Sequence, residues 1–85
     1  LRTLGVSGEL DLRGMMTDEA VDVLQRYLDT AMLANLNTVT IIHGKGTGAL
    51  RQAVHNTLKR SKQVKSFRLG RYGEGENGVT VVELK

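Results

Sequence analysis

Cysteine is absent from this 85-residue chain, which excludes both a disulfide framework and a thiolate metal site. That absence fits an intracellular protein. Tryptophan is also absent, and two tyrosines and one phenylalanine are the whole aromatic supply. A core must therefore be built from Leu, Val, Ile and Ala, and a base-stacking platform has little beyond Tyr72 and Phe67 to draw on. No apolar run approaches the ~20 residues of a membrane span, and no signal-peptide pattern is present. Internal repeats and low-complexity tracts are missing too. What remains is a hydrophobic share of 40%, ordinary for a globular chain and enough for one small domain with one modest core. The chain begins at Leu1 rather than Met and is expected to be a piece of something longer. Residues 1–8, aperiodic and carrying two glycines, read as the end of a linker, and residues 9–85 as the domain.

Net charge is +3, but the two signs are unevenly placed. Residues 1–42 hold three arginines against six carboxylates, a balance of −3. Residues 43–85 hold nine Lys or Arg against Glu74, Glu76 and Glu83, a balance of +6. A one-sided basic surface is the footprint of a polyanion binder. A merely solvated basic face is the plainer alternative.

The elements follow from periodicity. Residues 9–13 alternate strictly, so Leu10 and Leu12 share the buried face of a strand and Asp11 and Arg13 the other. Gly14 ends it. Thr17 is placed to cap a helix, with Asp18 and Glu19 suited to its first turn. Val21, Leu24, Leu28 and Ala31 form the inward stripe of that helix, which should end near Asn35 to Asn37. Residues 38–42 form a β-branched strand expected in the middle of the sheet. A second helix should run from Thr47 or Gly48 to Arg60, with Leu50, Val54 and Leu58 inward and Arg51, His55 and Lys59 as a basic row. Residues 64–69 and 79–84 are strands joined by a glycine-dense loop in which Asn77-Gly78 is a turn dipeptide. They should pair antiparallel. The order βαβαββ predicts an α/β fold, more narrowly a two-layer α+β sandwich. It has a four-stranded mixed sheet with two helices on one face, provided the strands add in one direction.

One stretch organises the chemistry. Ile41-Ile42-His43-Gly44-Lys45-Gly46-Thr47-Gly48-Ala49-Leu50-Arg51 runs from a strand through a Gly-rich turn into a helix N-terminus. Such a turn gathers backbone N–H groups and the positive end of a helix dipole, which suits an anion. Lys45 adds a charge and Thr47 a hydroxyl. A Walker loop is excluded, because Lys45 is followed by Gly46 rather than Ser or Thr. A dinucleotide fingerprint fits Gly44, Gly46 and Ala49 loosely, but Phe67-Arg68-Leu69 stand where an acidic residue is needed about 20 positions on. A turn that only tightens strand-to-helix packing is the structural alternative. The His-Lys-Thr cluster favours a phosphodiester.

Cleavage of a phosphodiester needs a phosphate cradle, an activated nucleophile and a proton for the leaving oxygen. The amides from Gly44 to Ala49, with Lys45, are candidates for the cradle, extended by Arg51, His55 and Lys59. His43, with an ordinary pKa of ~6.5, is the candidate general acid or base at its mouth. If the first two strands are parallel neighbours, Asp11 and Arg13 reach the same end of the sheet. Asp11 could then orient His43, activate water or hold a magnesium ion, and Arg13 could grip a phosphate. Glu74 and Glu76 are possible loop contributors. No metal ligand is firmly assigned, since two-metal nucleases cluster several carboxylates about ions ~4 Å apart. Metal-independent catalysis, or one loosely held magnesium, is expected.

Three blocks carry a family resemblance: Leu10-Asp11-Leu12-Arg13-Gly14, then His43-Gly44-Lys45-Gly46-Thr47-Gly48, then Gly73-Glu74-Gly75 with Gly78 to Lys85. Together, in this order, they resemble the small MutS-related (Smr) domain. Many stand-alone members have His where this chain has Arg13. The Arg form, with Gly-Thr-Gly-Ala-Leu-Arg at 46–51, is similar to the C-terminal domain of the second bacterial MutS paralogue. The resemblance implies an endonuclease, mainly nicking DNA, with RNA cleavage in some relatives. It also implies a bacterial cytoplasmic protein whose upstream MutS-type ATPase would be the only user of ATP. For the full-length paralogue it implies suppression of recombination, or action on stalled ribosomes. Partners would be branched or duplex DNA, RNA or the ribosome, and no membrane. The competing readings are a non-catalytic DNA-, RNA- or ribosome-binding module and, more weakly, a protein-docking domain.

Overall fold

The computed structural model describes residues 6–85. Residues 1–5 of the stretch read as a linker end lie outside the described residues. Val6 to Gly8 lead directly into the sheet: the Gly8 carbonyl accepts from the Thr40 amide, and the Tyr27 hydroxyl donates to the Ser7 carbonyl.

Strand β1 (Glu9–Asp11), helix α1 (Thr17–Leu33), strand β2 (Thr38–Ile42), helix α2 (Ala49–Arg60), strand β3 (Val64–Leu69) and strand β4 (Val79–Leu84) follow in order. β1 is shorter than its alternating pattern. Its pairing continues for one bond, from the Leu12 amide to the Ile42 carbonyl, before Gly14 turns the chain at φ 84°. Met16, not Thr17, occupies the cap position of α1, and no side chain caps it. The helix stops at Leu33, slightly short of the expected end. Asn35 takes a left-handed φ of 61° there, while the Asn35 and Leu36 amides donate back to Met32 and Ala31. That is the paired terminal bonding by which a left-handed residue closes a helix. β2, β3 and β4 lie at the expected residues 38–42, 64–69 and 79–84.

The sheet order is β1-β2-β4-β3. β1 runs parallel to β2, and β4 is antiparallel to both β2 and β3. The last strand therefore enters the gap left between β2 and β3, rather than being added at the edge. Both helices pack on one sheet face. Leu24, Leu28, Val54 and Leu58 from the helices share one buried cluster with Leu12, Val39, Ile41, Val82 and Leu84.

Register decides what faces what. Leu10 pairs with Ile41, which pairs with Thr80, so these three point toward the helices. Asp11 pairs with Ile42, which pairs with Val79, so these three point to the other, helix-free face. The loop 70–78 closes back over this face. A Cβ at Gly70 or Gly75 would come within 2.6 or 2.7 Å of the Val79 side chain, so both positions must lack one.

Candidate nucleic-acid interface

Strand β2 ends at Ile42, and residues 43–48 carry the chain across the top of the sheet into α2. Gly44, Gly46 and Gly48 all hold positive φ, at 79°, 26° and 90°. Gly48 serves as the cap position of α2. An L side chain strongly disfavours that region, so the sequence G-x-G-x-G is what permits the bend.

The amides of the turn divide into two sets. Those of His43 and Gly44 both donate to the Gly78 carbonyl, at 3.1 and 2.8 Å. The Ala49 amide donates to the Thr47 hydroxyl at 3.3 Å. Among the described residues, no protein acceptor takes the amides of Lys45, Gly46, Thr47 or Gly48. The cradle is thus narrower than the Gly44-to-Ala49 span expected from sequence. It lines a cavity of about 240 Å³ that reaches from Met15 to Arg51. The Arg51 guanidinium closes one side, near enough that a Cβ on Gly48 would stand 3.1 Å from its Nη2.

His43 also lines this cavity, from a buried position. Its side chain is buried, with 4% exposure. Nδ1 is 2.9 Å from the Gly44 carbonyl, and Nε2 is 2.8 Å from the Thr80 hydroxyl. A carbonyl only accepts, so Nδ1 must carry the hydrogen; in the neutral ring Nε2 then accepts from Thr80. The same Thr80 oxygen lies 2.8 Å from His55 Nε2, which must donate to it. One hydroxyl thereby links two imidazoles, which meet edge to face at a centroid separation of 6.0 Å. Burial lowers the pKa of His43, with a further push from the Arg51 charge against the opposing Gly44 carbonyl. Burial also lowers that of His55, reinforced by His43, Arg51 and Lys59.

His55 is consequently withdrawn from the expected basic row and rests against the Phe67 ring at 5.1 Å. Arg51 remains at the turn. Lys59 is exposed two turns further along α2, about 12 Å down the axis. The row is two separated cations rather than a continuous rail.

Arg13 reaches the turn from the open face and pairs there with Asp11. Arg13 Nε and Nη2 donate to the two Asp11 oxygens at 2.9 and 2.7 Å, and the Arg13 amide adds a third bond at 3.0 Å. These bonds hold the Asp11 pKa down to about 2 and raise that of Arg13. The Arg13 stem packs on Gly44, where an added Cβ would stand 3.4 Å from Cγ. Asp11 makes no bond to His43. Their side chains leave opposite faces of the sheet, because Asp11 is level with Ile42 and His43 is one residue further.

The loop carboxylates are committed elsewhere. Glu74 accepts from Arg68 at 2.9 Å and from the Arg71 amide at 2.7 Å, which lowers its pKa to about 2. Glu76 faces Lys45 at 3.9 Å. Among the described residues, no three His, Asp or Glu side chains converge. The Asp11 oxygens are paired with Arg13, so this donor set does not fit a tightly held divalent cation.

The family model of the Smr domain matches residues 10–85. The chain belongs to the Smr family. It is 65% identical over 80 residues to a protein of Ruminiclostridium cellulolyticum named endonuclease MutS2, covering 94% of this chain and 10% of that one. A Clostridium tetani protein of the same name is 59% identical over 85 residues, covering 100% and 11%. The chain thus spans about a tenth of the length of the curated relatives it matches. The crystal structure of the Smr domain of Thermus thermophilus MutS2 superimposes with a TM-score of 0.89 at 48% identity, covering 91% of this chain and 96% of that one. The stand-alone Smr protein YdaL of Escherichia coli gives 0.87 at 24% identity, covering 92% and 64%, a likeness of fold.

Two residues of this Smr domain had no sequence reading as parts of the site. Thr80 is a polar residue at an inward strand position, which was its available signal. The Gly78 carbonyl, which anchors the turn from β4, could be found only once β4 was known to adjoin β2.

Proposed function

We propose that this Smr domain is a nucleic-acid endonuclease that nicks one strand at a phosphodiester held over the turn 45–48. The observation that carries this reading is the set of four unclaimed amides at the start of α2, flanked by the cations Lys45, Arg51 and Arg13. Donors fixed in advance at the place where charge develops on phosphorus stabilise the transition state without reorganisation. The printed name of the related full-length proteins, endonuclease, supports the same class of reaction.

Asp11, Arg13 and Lys45 act at the substrate in this reading. In the free protein Asp11 is too weak a base to take a proton from water, because Arg13 stabilises its charge. A bound phosphate competes for the Arg13 donors, which raises the basicity of Asp11. Asp11 then takes a proton from the attacking water as its oxygen bonds to phosphorus, the P–O bond to the leaving oxygen breaks, and that oxygen is protonated from solvent. His43 acts through the backbone as a positioning residue. It fixes the Gly44 carbonyl, and so the direction of the amides that follow. No step is assigned to a metal.

The test is nicking of supercoiled DNA, and cleavage of RNA, by highly purified protein. Arg13→Ala and Lys45→Ala, both at exposed positions, should each slow nicking by about a hundredfold while leaving unfolding curves unchanged. Unchanged rates in both variants would overturn the assignment. The occupied nitrogens of His43 and the paired state of Asp11 favour one competing reading, a module that binds DNA, RNA or the ribosome without cutting. Steeply salt-dependent binding with no cleavage of any of these substrates would establish it.

A further inference from the structure

A second hollow adjoins the amide cradle across the backbone of Gly44 and Lys45, which line both. It opens on the helix-free face of the sheet, with a volume of about 440 Å³. Its floor is apolar, made by Ile42 of β2 and Val79 of β4, which are direct partners in the sheet. Its walls are the backbones of Gly44, Gly75 and Gly78, and Arg13 and Lys45 stand at its rim. At Gly75 a side chain is sterically excluded, whereas at Gly78 one would make only van der Waals contact. A Cβ on Gly75 would lie 2.7 Å from Val79 Cγ1, and one on Gly78 would lie 3.4 Å from Lys45 Cγ.

We infer that this hollow receives the sugar and base of an unpaired nucleotide joined to the phosphate held by the turn. The inference rests on the phosphate reading above and names the substrate class for it. Flat, apolar, glycine-walled surfaces suit the face of a ring, and the size is that of small-molecule clefts. Arg13, paired with Asp11, and Lys45, facing Glu76 at 3.9 Å, stand at the rim where a phosphate can compete for their charge, and the planar Arg13 guanidinium can also lie against a ring. The floor offers no polar side chain to a base edge, so the site tolerates any base. A base paired and stacked in continuous duplex cannot enter. The occupant is therefore a nucleotide lifted out of its stack, in DNA or RNA.

The experiment measures affinity by fluorescence anisotropy for a short oligothymidylate, an oligouridylate of equal length and an abasic sugar-phosphate polymer of equal length. The abasic polymer reads the phosphate cradle alone; the difference reads the hollow. Wild type should bind a base-bearing strand about tenfold more tightly than the abasic one. Whichever of oligothymidylate and oligouridylate binds better identifies the source. Ile42→Thr keeps a β-branched residue in the strand and should remove most of that preference, leaving abasic binding unchanged. Val79→Thr, the isosteric change at the other floor residue, should do the same. Equal affinity for base-bearing and abasic polymers in wild type, or an unaltered preference in both variants, would overturn the inference while sparing the cradle. Failure of all three polymers to bind would overturn the cradle and the inference together.

Discussion

Thr80 carries one proton and stands between two imidazoles, so its hydroxyl must donate to His43 and accept from His55. Replacing it with the isosteric Val leaves a buried acceptor on one ring and a buried donor on the other. Thr80→Val should lower stability by about 1–3 kcal/mol, read by urea denaturation. The histidines also give stability a pH dependence. Both folded-state pKa values lie below the ordinary 6.5, so the unfolded chain binds more protons in mild acid. Stability should be level above pH 6.5 and fall as pH drops below it toward the folded values. A urea midpoint that rises on acidification through this range would contradict the arrangement. Asp11 gives a cleaner residue-level reading. Its carboxyl should titrate near 2 by NMR, and Arg13→Ala should return it toward the ordinary 3.8. Failure of that return would mean that Arg13 is not what holds it down.

The turn from β2 to α2 is the element whose geometry matters most, and its glycines are not equivalent. Gly48→Ala places a β-carbon at φ 90° and 3.1 Å from Arg51 Nη2. It should cost about 1–2 kcal/mol of stability and weaken binding of a phosphodiester, as read by unfolding and by anisotropy. Gly46→Ala meets no neighbour within 4 Å and holds a φ of only 26°, so its stability loss should be smaller. This turn was legible in the sequence because three alternating glycines between a β-branched run and a helical pattern have few other uses. Two of its neighbours were not. Spacing put His55 beside Arg51 and Lys59, but helical spacing alone cannot say which edge of that face meets the sheet. Likewise the burial of His43 could not be read, because the face it takes depends on a register that one residue's slip reverses.

At the scale of the whole molecule, the βαβαββ order was legible from hydrophobic pattern, the pairing of β3 with β4 from the turn signal between them, and the shared helix face from crossover handedness. The entry of β4 between β2 and β3 was not, since it depends on which edge the final hairpin finds. That insertion brings Gly78 under the turn and Val79 beside Ile42, so it builds both hollows. Lys45, Arg51 and Arg13 line these hollows, and binding of nucleic acid there should weaken as salt rises. Because no carboxylate cluster converges there among the described residues, the proposed nicking should survive exhaustive chelation; complete loss, restored by magnesium, would show that a cation completes the site. The most direct measurement is an amide chemical-shift titration of the domain with an uncleavable phosphorothioate oligonucleotide. The largest shifts are predicted at Lys45, Gly46, Thr47 and Gly48, with Arg13 Nε moving in step. Shifts confined to the opposite end of the molecule, around Ser61 to Gln63, would contradict the account.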